Sequence, residues 1–110
     1  MSTATKTRKA HKDLPKYEDY LIEKLKSKRH ATLYLQEALS DYQEHGDAEI
    51  LMLAFRHIAK AQGGIAELAK KAHLNEKTLH RTLSKTGNPR LDTIWKLLSA
   101  LGFTLKVATV

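Results

Sequence analysis

Four long polar side chains, Glu76, Lys77, His80 and Arg81, recur along the stretch 76–83, where Leu79 and Leu83 lie four residues apart. On a helix that spacing stacks the two leucines on one face and turns the four polar groups to the other. Lys77 and Arg81 can donate to guanine O6 and N7, Glu76 can accept from cytosine N4, and His80 can do either. That is the chemistry of base-edge readout in a major groove. Asn75 and Thr78 at the helix start, with Lys85 and Arg90 on the following loop, have the chemistry for phosphate contacts, which set register without reading sequence. A solvated face of an ordinary amphipathic helix uses the same residue types.

Catalytic and metal chemistry find less support. Of the six histidines no two stand at i and i+4, His73 and His80 are seven apart, and His57 has no other histidine on its helix. There is no HExxH, P-loop, GxSxG or cysteine. Asp41 with Glu44, and Asp47 with Glu49, sit at a helix end and a helix start, where acids are ordinary. The expectation is a binding protein with no enzyme activity, no metal and no cofactor.

The elements that must position residues 75–81 are helical. Ile65, Leu68, Ala69 and Ala72 mark a short helix, His73-Leu74-Asn75 a tight turn, and 76–83 a second helix that Asn75 can cap. Two such helices meeting at the small Ala69, with Leu74 plugging the corner, predict a helix-turn-helix over about 64–84. The turn position often held by glycine is His73, a residue type enriched among non-glycine residues with positive φ. Upstream, Tyr17, Tyr20, Leu21 and Leu25 predict a first helix ending among Lys26, Lys28 and Arg29. Ala31, Leu35, Ala38, Leu39 and Tyr42 predict a second, stopped by Gly46. Asp47 is the expected N-cap of a central helix bearing Ile50, Leu51, Ala54, Phe55, Ile58 and Ala61, which Gly63-Gly64 breaks.

Downstream, Asn88-Pro89 signals a helix start, and Leu91, Ile94, Trp95, Leu98 and Leu101 predict a closing helix over about 90–101, with Trp95 as a core anchor. Phe103-Thr104-Leu105-Lys106-Val107 alternates as a strand does, over about 103–107. A lone strand lacks a partner in its own chain, so Phe103, Leu105 and Val107 are the expected homodimer interface; a tail lying over the core is the other reading. The fold class is therefore all-α: a compact helical bundle with a helix-turn-helix and a short C-terminal β-strand.

The chain has 110 residues, enough for one core, with 42% hydrophobic and 28% charged residues, a globular balance. Residues 1–13 are basic, polar and non-periodic, so they read as a flexible tail before a single helical domain over 14–110. The absence of cysteine suits a reducing cytoplasm, and no apolar run approaches the ~20 residues that cross a bilayer, so no membrane partner is expected. The net charge of +7 is uneven: Lys and Arg outnumber acids nine to four in 1–30 and eight to three in 64–110, while acids lead five to two in 31–63. The basic C-terminal half suits double-stranded DNA. The acidic segment (Glu37, Asp41, Glu44, Asp47, Glu49) suits a basic protein partner, or is a solvated face.

Several segments together resemble one family: Ala-Glu-Leu-Ala at 66–69, Leu-Asn-Glu-Lys-Thr-Leu at 74–79, Leu-Ser at 83–84, Gly-Asn-Pro-Arg-Leu at 87–91 and Leu-Leu-Ser-Ala-Leu-Gly-Phe-Thr-Leu at 97–105. Tyr-Leu-Gln-Glu-Ala-Leu at 34–39 and Ile-Ala-Lys-Ala-Gln-Gly-Gly at 58–64 extend the likeness over roughly Tyr17 to Val107. The chain resembles the addiction-module antidote proteins, small HigA-like antitoxins with a lambda-repressor-like helix-turn-helix. The resemblance implies a type II antitoxin that represses its own operon as a dimer on operator DNA and neutralises a cognate toxin, a RelE-like ribonuclease. A stand-alone prophage-type regulator without a toxin, or a helical adaptor that binds only protein, would share the residue patterns.

Overall fold

The computed structural model describes residues 14–84 and 89–110. Lys85 and Asn88, and the expected tail over 1–13, lie outside the described residues. Among the described residues are six helices: α1 (Leu14–Lys24), α2 (Lys28–His45), α3 (Glu49–Ala61), α4 (Ile65–Ala72), α5 (Glu76–Thr82) and α6 (Leu91–Ala100). None is long and apolar enough to cross a membrane.

The middle helix organises the rest. Leu51, Met52, Ala54, Phe55, Ile58 and Ala59 of α3 are buried, and α3 packs against α1, α2 and α4. A helix buried around so much of its circumference must be central. Helix α4 then carries α5 and α6 on its other sides. Leu25, Leu35, Phe55, Leu68, Leu79, Leu83, Leu97 and Leu101 belong to one continuous core. The central helix expected from the sequence is therefore present, with its buried stripe shifted. Ile50 is 47% exposed and Ala61 half-buried, while Met52, His57 and Ala59 are buried.

Helix ends show where local chemistry overrode the periodic pattern. Lys28 and Arg29, expected to close the first helix, instead open α2, because Ser27 takes the N-cap and its hydroxyl accepts from the His30 N–H. Tyr17 and Tyr20 are exposed, leaving Leu25 as the buried residue of that segment. Gly46 stops α2 in the left-handed conformation. Asp47 lies one residue before the N-cap of α3, yet its carboxylate accepts the Glu49 N–H at 3.0 Å. Pro89 precedes the N-cap, Arg90, instead of entering the first turn of α6.

The C-terminal segment departs most from expectation. Residues 103–107 form no strand. Helix α6 ends in a Schellman motif in which the Gly102 N–H reaches the Ser99 carbonyl at 3.1 Å and the Phe103 N–H reaches the Leu98 carbonyl at 2.7 Å. That geometry turns Phe103 back against the core, where Lys28 Nζ lies 5.1 Å from its ring centroid and donates to the Leu101 carbonyl at 2.6 Å. With Phe103 committed inward and no second strand among the described residues, the segment has no ladder partner there. Gly102 serves the motif twice: its φ is +86°, and a Cβ there would meet Lys28 Nζ at 2.6 Å.

Helix α6 is also rotated relative to the expected stripe. Leu97, Leu98 and Leu101 are buried, whereas Leu91 is 74% and Trp95 61% exposed. Leu97, absent from the expected stripe, takes its centre and turns Leu91 and Trp95 to its edge. Trp95 is not a core anchor.

Candidate nucleic-acid interface

Helices α4 and α5 are each too short to persist by propensity, so packing and end-capping must hold them. Leu68, Ala69 and Ala72 bury one side of α4. The helix ends with His73 at φ 58°, ψ 43°, and the Leu74 N–H closes onto the Ala69 carbonyl at 2.8 Å. This is again a Schellman closure, with histidine where glycine is usual. His73→Gly is expected to change stability by less than about 1 kcal/mol, because relief of the left-handed strain offsets the added freedom of the unfolded chain. His73→Val is expected to cost about 1–2 kcal/mol, read by urea unfolding, since a β-branched residue tolerates that conformation poorly.

The next helix begins where expected. Asn75 is its N-cap, extended, with its side-chain oxygen accepting the Thr78 N–H at 3.1 Å. Leu79 and Leu83 are buried, and the Arg56 guanidinium of α3 donates to the Leu83 carbonyl. That bond pins the C-terminal end of α5 to the central helix. Sequence reading missed Arg56, because its partner is 27 residues away and is a backbone carbonyl.

With its inner face so fixed, α5 presents Glu76, Lys77, Thr78, His80 and Arg81 to solvent. Glu76 and His80 lie 3.6 Å apart across one turn, both about half exposed. A carboxylate–imidazole contact at the surface costs little to separate, so both side chains remain available to a ligand. Asn75 is adjacent, though its side-chain oxygen is occupied by the cap. Arg90 stands at the start of α6 and pairs with Asp92 at 3.4 Å, its side chain 83% exposed. The structure thus gathers Asn75, Glu76, Lys77, Thr78, His80 and Arg81 on one short helix and its cap, and places Arg90 on another element. Lys70 and Lys71, exposed in the last turn of α4, add cations that the sequence reading did not single out.

A second polar cluster lies elsewhere and is closed. His57, 8% exposed, contacts the Tyr34 hydroxyl through Nδ1 at 2.8 Å and the Glu18 carboxylate through Nε2 at 3.3 Å. The Glu18 carboxylate accepts only, so Nε2 carries the proton and Tyr34 donates to Nδ1. Lys60 completes the chain, 3.4 Å from Glu18. Burial pushes the Tyr34 hydroxyl up to about 12, so it keeps its proton. Burial also holds the His57 imidazole below its ordinary range, with Glu18 opposing and Lys60 and Arg56 assisting.

Because the folded protein keeps His57 neutral while the unfolded chain protonates it near pH 6.5, the unfolded state binds more protons below that pH. This contribution to stability is complete above about pH 6.5 and is lost as pH falls through the lower folded value. Urea unfolding from pH 7.5 downward is expected to show an extra loss of at most ~1.4 kcal/mol per pH unit, which His57→Gln flattens. Among the described residues, no three His, Asp or Glu side chains gather as a metal ion would require.

A family model described as probable addiction module antidote protein matches residues 16–109. An uncharacterized protein of Haemophilus influenzae is 32% identical over 87 residues, spanning 79% of this chain and 84% of that protein. No solved structure matches.

Proposed function

This chain belongs to the probable addiction module antidote protein family, and from that premise we propose that it binds operator DNA through α4 and α5 as a helix-turn-helix, represses its own operon as a homodimer, and neutralises a RelE-like ribonuclease toxin by direct contact. The observation that carries the DNA reading is the two-sidedness of α5. Leu79 and Leu83 hold it to the core, while Lys77, His80 and Arg81 face water on a helix that packing and its cap, not these side chains, hold in place. In this reading Glu76, Lys77, His80 and Arg81 address base edges. Asn75, Thr78, Lys85 and Arg90 address phosphates.

A separate surface supports the toxin reading. Glu37 and Glu44 of α2, Asp47 of the α2–α3 connection and Glu49 of α3 are exposed, with Asp41 half-buried among them. A ribonuclease must be basic where it holds RNA, and an acidic face complements it.

The test is a fluorescence-anisotropy titration with the DNA upstream of the protein's own gene against a scrambled duplex, at several salt concentrations. Tight, salt-steep binding to the upstream DNA is expected, and equal weak binding to both duplexes would overturn the DNA reading. Arg90→Ala is expected to weaken binding to both duplexes alike and to reduce the salt slope by about 1.

A further inference from the structure

Two clefts adjoin where α4 and α6 pack together. The larger, of about 330 Å³, is lined by Lys28 and Lys71 with the polar side chains of Gln62 and Ser99. The smaller, of about 210 Å³, shares Lys71 and Ser99 with it and adds His73, Lys96 and Trp95. Among the described residues no Asp or Glu lines either cleft, and none of the three lysines stands in an ion pair. We propose that the two clefts bind an unpaired nucleic-acid strand, its phosphates on Lys28, Lys71 and Lys96 and one base stacked on the Trp95 indole. The site is separate from the face of α5 and does not rest on the operator reading.

Charge selects an anion. A concave surface lined by one sign of charge focuses its field on whatever enters, and here the sign is positive. The acids nearest in sequence do not cancel it. Glu67, one turn before Lys71, lines neither cleft, and Asp92, one turn before Lys96, is paired with Arg90. Lys28 is also held in place, since its Nζ donates to the Leu101 carbonyl at 2.6 Å and lies 5.1 Å from the Phe103 ring centroid. That bond uses one of three N–H donors and leaves two for a ligand, with little side-chain freedom left to lose. The indole then selects the kind of anion. Trp95 is 61% exposed and lies one turn of α6, ~6 Å, from Ser99, a span that one nucleotide covers between phosphate and base. An aromatic face beside a row of cations is the pairing by which proteins hold single strands. In a duplex the base faces are stacked on one another, so an indole outside it gains nothing from them.

Trp95 is the single tryptophan of the chain and reports on the contact directly. A short oligouridylate added to the full chain is expected to quench its emission to saturation, whereas the scrambled duplex leaves it unchanged. With three phosphates on lysines, log affinity is expected to fall with log salt at a slope of about 2, and Lys71→Gln to reduce that slope by about 0.7. An oligothymidylate of the same length distinguishes the sources: a tenfold preference for either strand assigns RNA or DNA. Trp95→Ala, read by anisotropy of a labelled oligouridylate, is expected to weaken binding about 5- to 150-fold, and Trp95→Phe to restore most of it. Both variants are expected to keep the parental circular dichroism and the parental titration with upstream DNA, because the side chain is mostly exposed and off α5. Absence of quenching by either single strand, equal quenching by the duplex, or a Trp95→Ala protein with parental strand affinity each overturns the proposal. A parent that quenches with single strands yet ignores its upstream DNA would overturn the operator reading alone.

Discussion

Leu79→Ala is expected to cost about 2–5 kcal/mol of stability and to abolish operator binding. Leu79 is 1% exposed and is the buried residue within α5 itself, which has seven residues. Its removal leaves the helix held by the Asn75 cap, by Leu83 just beyond its end and by the bond from Arg56. The loss is a large share of the ~5–15 kcal/mol that holds a typical domain together. Part of it should appear as local opening, because a helix this short does not survive without its packing. Hydrogen exchange is the direct measurement. Amides of 76–83 should lose protection before those of α3. Uniform loss across both helices would show that α5 melts only with the whole domain.

Arg81→Ala is expected to do the opposite, leaving the melting temperature close to the parent's while relaxing sequence discrimination. Arg81 is exposed and lies in the last turn of α5. A bidentate contact from its guanidinium to one guanine contributes about 1–3 kcal/mol of discrimination, so affinity for the operator should fall about 5- to 150-fold. Affinity for scrambled DNA should fall by the far smaller amount due to one lost charge. Equal losses on both duplexes would make Arg81 a phosphate contact and move the readout to Lys77 and His80. The two substitutions together separate holding the helix from reading with it: the first acts through packing, the second through the face that packing presents.

Much of the candidate interface was legible because its determinants are local. The cap at Asn75, the left-handed residue at His73 and the leucine pair at 79 and 83 each act within a few positions of chain, and the structure places all of them as the spacing implied. The His57 cluster was not legible, since its partners, Glu18 and Tyr34, come from two other helices. Arg56 was missed for the same reason. Sequence periodicity reports that a residue is apolar or polar on a face, and says nothing of which distant group meets it.

The C-terminal end shows the boundary most clearly. Alternation at 103–107 is a real pattern, but a strand is stabilised by hydrogen bonds to a neighbour, and the described residues supply none. The segment instead obeys the helix end before it, whose Schellman closure sends Phe103 to the core and leaves Leu105 exposed. Likewise the stripe on α6 predicted an apolar face correctly, while its rotation by Leu97 decided which part of that face the domain covers. What the amino-acid order determined without help was what depends on neighbours three or four residues apart: the stop at Gly46, the capped start and two faces of α5, and the left-handed turn between α4 and α5. What only the tertiary structure decided was the assignment of apolar surface between interior and solvent, because burial depends on which helices meet and at what rotation, and the same stripe that seals a core at Leu97 and Leu98 stands open at Leu91 and Trp95.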